Sequence, residues 1–414
     1  MVLCNVYGDV MLVKEFKHSQ GERSVLLLDE SGIPHFYANL YCTIHIRNTS
    51  QSVSTMKNIL SAIRFGYQCF DKYNIDIEAR FLNKNVLTVQ EIESIAGDSG
   101  IPSAALSKVI HLSNTKEYGI SSKSVAKVST DTKYTRLTYI ANFLEWLAGY
   151  LNAPSFETNK MVKALRVRRP KRKRNQSDSV NELNHKALSE SQLTLAYNAL
   201  KTSISNNVEK DNAVHIRNIL IFKLLHKLGL RKGELLSLRV DGLNYDSIKG
   251  HSLKIRRFHD SKLDSRNKQP LVKTLERDLP LSNELAEEIN QYVLTIRSKA
   301  KPSKKHPYLF VTHKKGKYWG APLSIASVDL IFTQLNELIG EKIHPHQLRH
   351  TFNYELSKLF DKAEVPFPEQ QQEDMRSYLN GWKTGSGTAA VYNKRFIQEK
   401  AESALLSLQK SGKN

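Results

Sequence analysis

The sequence predicts a mainly α protein with small β elements: a β-rich N-terminal segment, a helical domain, and a larger domain of mixed α+β character. Three observations predict this. Apolar residues recur at the helical period between about 50 and 155, and again beyond 187. Short β-branched and aromatic runs are confined to residues 1–48 and to a few segments between 251 and 312. A basic run at 166–174 stands between the two helical regions. With 414 residues, the chain suits roughly two or three domains.

Taken in order, residues 1–48 are expected to form a β-rich arm or small module. "VMLVKEF" and "SVLLLDESG" are short apolar runs, and the second ends on a Ser-Gly turn signal. The β character is expected to continue through "IPHFYANLYCTIHIRN". Residues 50–165 read as a helical domain. "SVSTMKNILSAIRFGYQCFDKY" sets Met56, Ile59, Leu60, Ile63, Phe65 and Phe70 on one stripe, with Ser54 or Thr55 as its cap. "LTVQEIESIAG" carries a capping-box pattern, Thr88 before Glu91. "TKYTRLTYIANFLEWLAGYL" is a third helix, dense in aromatics.

Residues 166–186 read as a basic interdomain linker. In "RVRRPKRKR" the residues Arg166, Arg168, Arg169, Lys171, Arg172, Lys173 and Arg174 are basic, and a polar stretch follows. An arm between two basic domains would lie on any nucleic acid they share, so these seven are candidate DNA-binding residues; a solvated linker or an import signal has the same composition. Residues 187–414 form the second domain. Ser189 caps "LSESQLTLAYNAL". "IRNILIFKLLHKLGLRKGELLSLRV" is a helix broken at Gly229, with a new helical turn near Glu234. "HSLKIRRF" and "PLVKTLERDLPLS" are two strands joined by a charged turn, and "PYLFVT" is a short buried strand. An amphipathic helix lies between them, and a helix through "AESALLSLQ" closes the chain.

Composition narrows the partner. Lys plus Arg number 61 against 41 Asp plus Glu, a net charge of +20. That balance points to a polyanion. No apolar run is long enough to span a bilayer, and no signal peptide is evident at the N-terminus, so no membrane is expected. Three cysteines without CxxC spacing fit a reducing cytoplasm and argue against zinc-cysteine sites.

The chemistry-bearing stretch is "IHPHQLRHTFNYEL". A helix starting at His344-Pro345 would bury Leu348, Phe352, Leu356 and Leu359, and set His346, Arg349, His350 and Asn353 on the adjacent stripe. His346 and His350 have metal-chelating spacing. However, no Glu lies between them, and Arg349 would repel a cation. Arginine and histidine at a helix start suit an oxyanion, so no metal is expected.

"HQLRHTF" resembles the H-x-x-R box of the tyrosine recombinases, the phage-integrase family. "LGLRKGELLSLRV" resembles its first arginine box, and "NGWKTGSGTAAVY" its final box, which ends in the nucleophilic tyrosine. The three stand in the family's order, and the resemblance covers roughly 50–400. It implies a helical core-binding domain and a catalytic domain closing as a clamp on double-stranded DNA. Tyr392 would be the nucleophile. Arg231 and Arg349 would clamp the phosphate oxygens, and His346 would assist proton transfer. Trp382 stands where the family usually has a second histidine; its indole can donate a hydrogen bond but cannot shuttle a proton. The leaving 5′-oxygen would take its proton from a lysine on a β-hairpin turn. Lys273 matches best, with Lys268 next and Lys262 behind it. His350 is read as a hydrogen-bonding neighbour and Glu234 as an orienting group or a helix cap.

The resemblance further implies a homo-tetramer on DNA recombination sites, accessory DNA-bending proteins, no cofactor, and a nucleoid-associated, cytoplasmic protein of bacterial or phage origin. Leu405, Leu406 and Leu408 on the tail helix are candidates for docking on a neighbour or packing within the chain. The implied function is a site-specific recombinase or integrase of a mobile element. Type IB topoisomerase-like relaxation and a non-catalytic DNA-binding protein of the same fold are the alternatives. The polar insert "DKAEVPFPEQQQED" and the extra residue between Trp382 and Tyr392 depart from the family pattern.

Overall fold

Two large sets of buried side chains organise the chain, and its contacts divide it into two units, the first of Met1–His18 with Arg23–Arg174 and the second of Ser19–Glu22 with Asn175–Asn414. The computed structural model describes residues 11–49, 52–107, 126–171, 187–205, 212–365, 367–385, 387, 389 and 401–409.

The first unit opens with an antiparallel hairpin, β1 (Leu12–Lys17) and β2 (Arg23–Leu28), in register from Leu12↔Leu28 to Lys17↔Arg23. The expected β character stops there. Phe36–Cys42 is a helix, α1, running on into a π-helical turn over Thr43–Arg47. The reason is spacing: Ala38, Cys42 and Ile46 are buried four apart, with Tyr41 three after Ala38, a pattern that only a helix turns to one side. Asn39 joins helix to hairpin by imitating a strand. Its Oδ1 accepts from the Leu27 N–H at 2.9 Å, and its Nδ2 donates to the Leu27 carbonyl at 2.8 Å. The hairpin and α1 share one core with the helices that follow, because Val25, Leu27 and Tyr41 pack in the same cluster as Leu60 and Phe143.

Those helices are α2 (Val53–Lys72), α3 (Ile77–Leu82), α4 (Val89–Asp98), α5 (Thr130–Tyr150) and α6 (Ser155–Val167). The cap of α2 is Ser52, not Ser54 or Thr55; its Oγ accepts from the Thr55 N–H at 3.2 Å. The capping box of α4 forms as expected: Thr88 Oγ1 accepts from Glu91 N–H at 3.3 Å, and Glu91 Oε2 from Thr88 N–H at 2.7 Å.

The second unit pairs α7 (Glu190–Ser205) with α8 (Asn212–Lys227), then turns through a short α9 (Lys232–Ser237) into a three-stranded antiparallel sheet. Its strands are β3 (Leu243–Asn244), β4 (His251–Ile255) and β5 (Arg277–Leu281), with β4 central. Four helices follow: α10 (Asn283–Gln291), α11 (Ile325–Ile339), α12 (Pro345–Asp361) and α13 (Glu369–Asn380). Residues 401–409 form the tail helix, on which Leu405, Leu406 and Leu408 are exposed. The fold is mainly α with small β elements. Among the described residues, no helix is long and apolar enough to cross a membrane.

Two expected strands differ. Tyr308, Leu309, Phe310 and Val311 are buried, yet pair only through isolated bridges, Arg239↔Tyr308 and Val311↔Pro322. The connection between β4 and β5 is no tight turn but the whole of residues 256–276. A buried ion pair holds this loop. Asp264 takes two bonds from Arg266, at 2.9 and 2.7 Å, while Arg266 Nη1 donates to the carbonyls of Leu236 (3.0 Å) and Leu323 (2.8 Å).

The Asn39 pairing yields a stability prediction. Asn39→Leu removes the acceptor of the Leu27 amide, while the Leu27 carbonyl keeps the His35 N–H at 2.9 Å, so it should cost about 1–3 kcal/mol. Urea unfolding would measure that loss; a variant as stable as wild type would contradict the role given to Asn39.

Candidate active site

The site is built outward from Gly229. It holds φ +57°, and a Cβ there would lie 2.4 Å from the Phe352 ring, so only glycine fits. This left-handed residue ends the α8 run and redirects the chain so that Arg231 immediately precedes α9. Its carbonyl, aimed inward, accepts from Arg349 Nη1 at 2.7 Å. One residue thus sets the direction of the first arginine and anchors the second.

Helix α12 brings Arg349. Its entry is fixed by Asn336, whose side chain bonds both backbone groups of Ile343, at 2.8 and 3.1 Å. His344 is the N-cap residue with Pro345 behind it, and Gln347 Oε1 accepts from the His344 N–H at 2.7 Å. Of the expected apolar stripe, Leu348 alone is buried: Leu359 is exposed, and Phe352 and Leu356 are only half-buried. The polar stripe faces inward instead, with Arg349, Asn353 and Ser357 buried. It does so because α13 offers polar partners. The amides of Asn353 and Asn380 exchange two hydrogen bonds, at 3.1 and 2.9 Å. Arg376 donates to the Asn353 carbonyl and to Ser357 Oγ, each at 2.7 Å. Arg349 Nη2 donates to the Asn380 carbonyl at 2.8 Å.

Helices α8 and α12 are tied by a second, partly buried contact. His226 Nε2 lies 3.0 Å from Glu355 Oε1, and Tyr197 Oη lies 2.9 Å from His226 Nδ1. Burial would push the Glu355 carboxyl up, but its hydrogen bond from His226 holds it below the usual range.

Glu234, fully buried, is the centre. Its Oε2 accepts from the Arg231 N–H at 2.8 Å, capping α9. Its carboxylate meets Arg277 at 3.2 and 3.3 Å, Arg349 at 3.6 Å and the Arg231 guanidinium at 3.9 Å, and it accepts from Thr274 Oγ1. Burial alone would raise its pKa. Arg277 and Arg349 outweigh that, and hold the carboxyl below the ordinary range. Glu234 therefore both caps the helix and gathers arginines.

Arg277 was not singled out in the sequence, although a signal existed. On β5 it alternates with Leu279 and Leu281 on the buried face, and an inward arginine needs a buried acid. Its Nε also donates to the Leu379 carbonyl at 2.8 Å. Gly381, at φ +64°, passes so close that a Cβ would sit 2.5 Å from Arg277 Nη1. The Gly381 carbonyl accepts from Leu275 N–H at 2.8 Å, which docks the final box onto the segment before β5.

Lys273 lies on that segment, in the loop and not on a hairpin turn. It is exposed beside buried Thr274. The segment is well anchored: the Pro270 carbonyl accepts from Ser237 Oγ at 3.1 Å, and the Leu271 carbonyl lies where a Cβ on Gly233 would be, 2.4 Å away. Lys268 and Lys262 are exposed earlier in the same loop. His346 is exposed and meets the half-buried His350 ring edge-on at 4.6 Å between centroids. The Arg349 guanidinium lies 5.2 Å from the centroid of the buried Trp382 ring. Tyr392 lies outside the described residues. The structure thus brings together Arg231, Arg349, Trp382 and the Lys273 segment around Glu234.

The basic run starts inside α6. Arg166 bonds Glu145 at 2.6 Å, Arg168 pairs with Glu93, and Arg169 donates to the Arg166 carbonyl at 2.9 Å. Lys171 is exposed, and Arg172, Lys173 and Arg174 lie outside the described residues.

Residues 186–359, which carry Arg231, Lys273, His346 and Arg349, match the model of the phage integrase family. This segment is similar to the phage integrase family. The chain is similar to Transposase A of transposon Tn554 from Staphylococcus aureus, 25% identical over 313 residues, which are 74% of this chain and 76% of the transposase. Tyrosine recombinase XerA of Pyrococcus furiosus is 33% identical over 138 residues, 33% of this chain and 40% of that protein. The XerA of Pyrococcus horikoshii is 29% identical over 140 residues, 34% and 41% of the two chains. The chain thus spans about two fifths of the length of the archaeal recombinases it matches. Among solved structures, XerH recombinase bound to a palindromic difH substrate aligns over 89% of this chain and 93% of its own, with 15% identity and a TM-score of 0.41.

The Glu234 centre gives a pH-dependent prediction. Its folded pKa is depressed, so its stabilisation is fully present above the ordinary carboxylate range and fades as pH falls through the folded value. Glu234→Gln should cost about 3–5 kcal/mol at neutral pH. The gap to wild type should narrow in acid below pH 4.5. Thermal melts across pH would check both; a gap that widens in acid would contradict the assignment.

Proposed function

We propose that the protein is a site-specific DNA recombinase that cuts and rejoins strands through a 3′-phosphotyrosyl intermediate, serving a mobile element. One observation carries the reading: a buried carboxylate gathers Arg231 and Arg349, from helices over a hundred residues apart, into one fixed cationic centre. In the proposed step the Tyr392 oxygen bonds to phosphorus and passes its proton to His346. The bond from phosphorus to the 5′-oxygen breaks, and Lys273 protonates that oxygen. Arg231 and Arg349 stabilise the added charge on the non-bridging oxygens, each worth a few kcal/mol in the transition state. His346 assists proton transfer, and Trp382 packs Arg349 in place. The phosphotyrosyl link conserves the energy of the broken bond, so the reverse step rejoins strands without ATP.

Several features support these roles. The anchoring of residues 270–275 favours Lys273 over Lys268, since Thr274 beside it bonds Glu234 directly. In the basic run, Arg166, Arg168 and Arg169 are engaged within their own unit and Lys171 is exposed; the charge of Lys171, Arg172, Lys173 and Arg174 suits them to meet phosphates. The likeness to a transposase supports the mobile-element role. Exchange between two duplexes, each with two half-sites, calls for a homo-tetramer. The exposed leucines of 401–409 suit docking onto a neighbouring copy.

The test is covalent trapping on nicked duplexes that tile the DNA flanking the protein's own gene. Wild type should become linked to DNA on one of them, and Tyr392→Phe on none. Linkage of both proteins, or of neither, would refute the mechanism.

A further inference from the structure

A cavity of about 410 Å³ lies in the first unit, between α2, the helical residues 103–107 and the first turns of α5. None of its lining residues belongs to the segment 186–359 that matches the phage integrase family. The volume falls in the range of small-molecule sites, roughly 300–1,000 Å³.

Two half-buried arginines line it. Arg136 is held in place: its Nη1 donates to the carbonyls of Ser99 (3.2 Å) and Ile101 (2.5 Å), and its guanidinium lies 4.1 Å from the Phe65 ring centroid. Arg64 is held loosely, by contacts of 3.5 Å to the Met11 carbonyl and 3.3 Å to Ser103 Oγ. The buried Nε of Arg64 has no hydrogen-bond partner. Neither arginine forms an ion pair among the described residues. Burial opposes both charges, and for Arg136 the nearby charge of Arg64 adds to it. The rest of the lining includes the amide of Asn58 and the hydroxyls of Ser61 and Thr135. The one acid among the lining residues is Asp131, exposed in the first turn of α5.

Two like charges that act on each other, half out of water and with no counter-ion among the described residues, are costly unless an anion joins them. Guanidinium forks beside hydroxyl and amide donors match a tetrahedral oxyanion. We infer that this cavity is a phosphate-binding site, with Arg64 and Arg136 gripping one phosphate group. A free nucleotide and a DNA backbone both present that chemistry. This site stands independently of the proposed strand-transfer centre.

Hydrogen–deuterium exchange on the full chain reads the site locally. Inorganic phosphate, compared with sodium chloride at equal ionic strength, should slow exchange in peptides covering 58–64 and 130–136. A general salt effect would instead slow the whole unit. Arg64→Gln should weaken the response about tenfold or more. It is chosen over Arg136 because Arg136 also supports the backbone at Ser99 and Ile101. Unliganded exchange of α2 and α5 reports whether the variant folds. If it does not, Arg64→Lys, which keeps the charge and loses the fork, should show a weaker response than wild type. A nucleoside monophosphate and a short duplex of arbitrary sequence are then compared: protection by the first assigns a free nucleotide, and by the duplex alone a DNA phosphodiester. No local protection by any of the three probes, or equal protection in a folded Arg64 variant, would overturn the inference.

Discussion

The buried carboxylate of Glu234 is the constraint on which the second unit depends. An acid with no exposure needs cations close by, and here three arginines from three elements supply them: Arg231 before α9, Arg277 on β5 and Arg349 on α12. Three like charges would otherwise repel one another. The single negative charge lets them converge, and each element arrives already fixed by other bonds. The cationic centre is therefore set before any anion arrives, which is the condition under which such a centre accelerates a reaction.

The packing around that centre is polar where a hydrophobic seam would be expected. Helices α12 and α13 meet through paired amides of Asn353 and Asn380 and through Arg376, with nearly every donor directed at a named acceptor. Such a seam tolerates less sliding than an apolar one, because a small shift leaves buried groups unpaired. Two glycines complete it. Gly229 lets Phe352 close over the backbone, and Gly381 lets Arg277 pass to Glu234. Stability and geometry of the site thus rest on the same contacts.

Much of this was legible in the sequence, and what was missed has physical causes. Helix period, the Thr88–Glu91 capping box, Ser189 at the start of α7 and the break at Gly229 are local signals, and local signals survive folding. The order of the three boxes marked Arg231 and Arg349 without revealing what joins them. Burial of Asn353 and Ser357 in place of Leu359 could not be read from periodicity, which assigns the apolar stripe inward; only the polar face of α13 reverses it. The loop from 256 to 276 reads as strand and turn because its anchor, Asp264 with Arg266, is a pair of charged residues that normally signals solvent. Likewise the aromatic and β-branched content of α1 predicts strand, while its buried spacing is helical.

The central claim is that the gathered arginines act through charge on a phosphate. Arg231 tests it best, since its side chain is 33% exposed and the fold leans on it less than on Arg349. The measurement is the cleavage rate of wild type and Arg231→Ala on a duplex with a scissile phosphodiester, and on the same duplex with a neutral methylphosphonate there. The account predicts a loss of about 10²–10³-fold on the charged substrate. On the neutral one most of that loss should disappear. An equal loss on both substrates would contradict it.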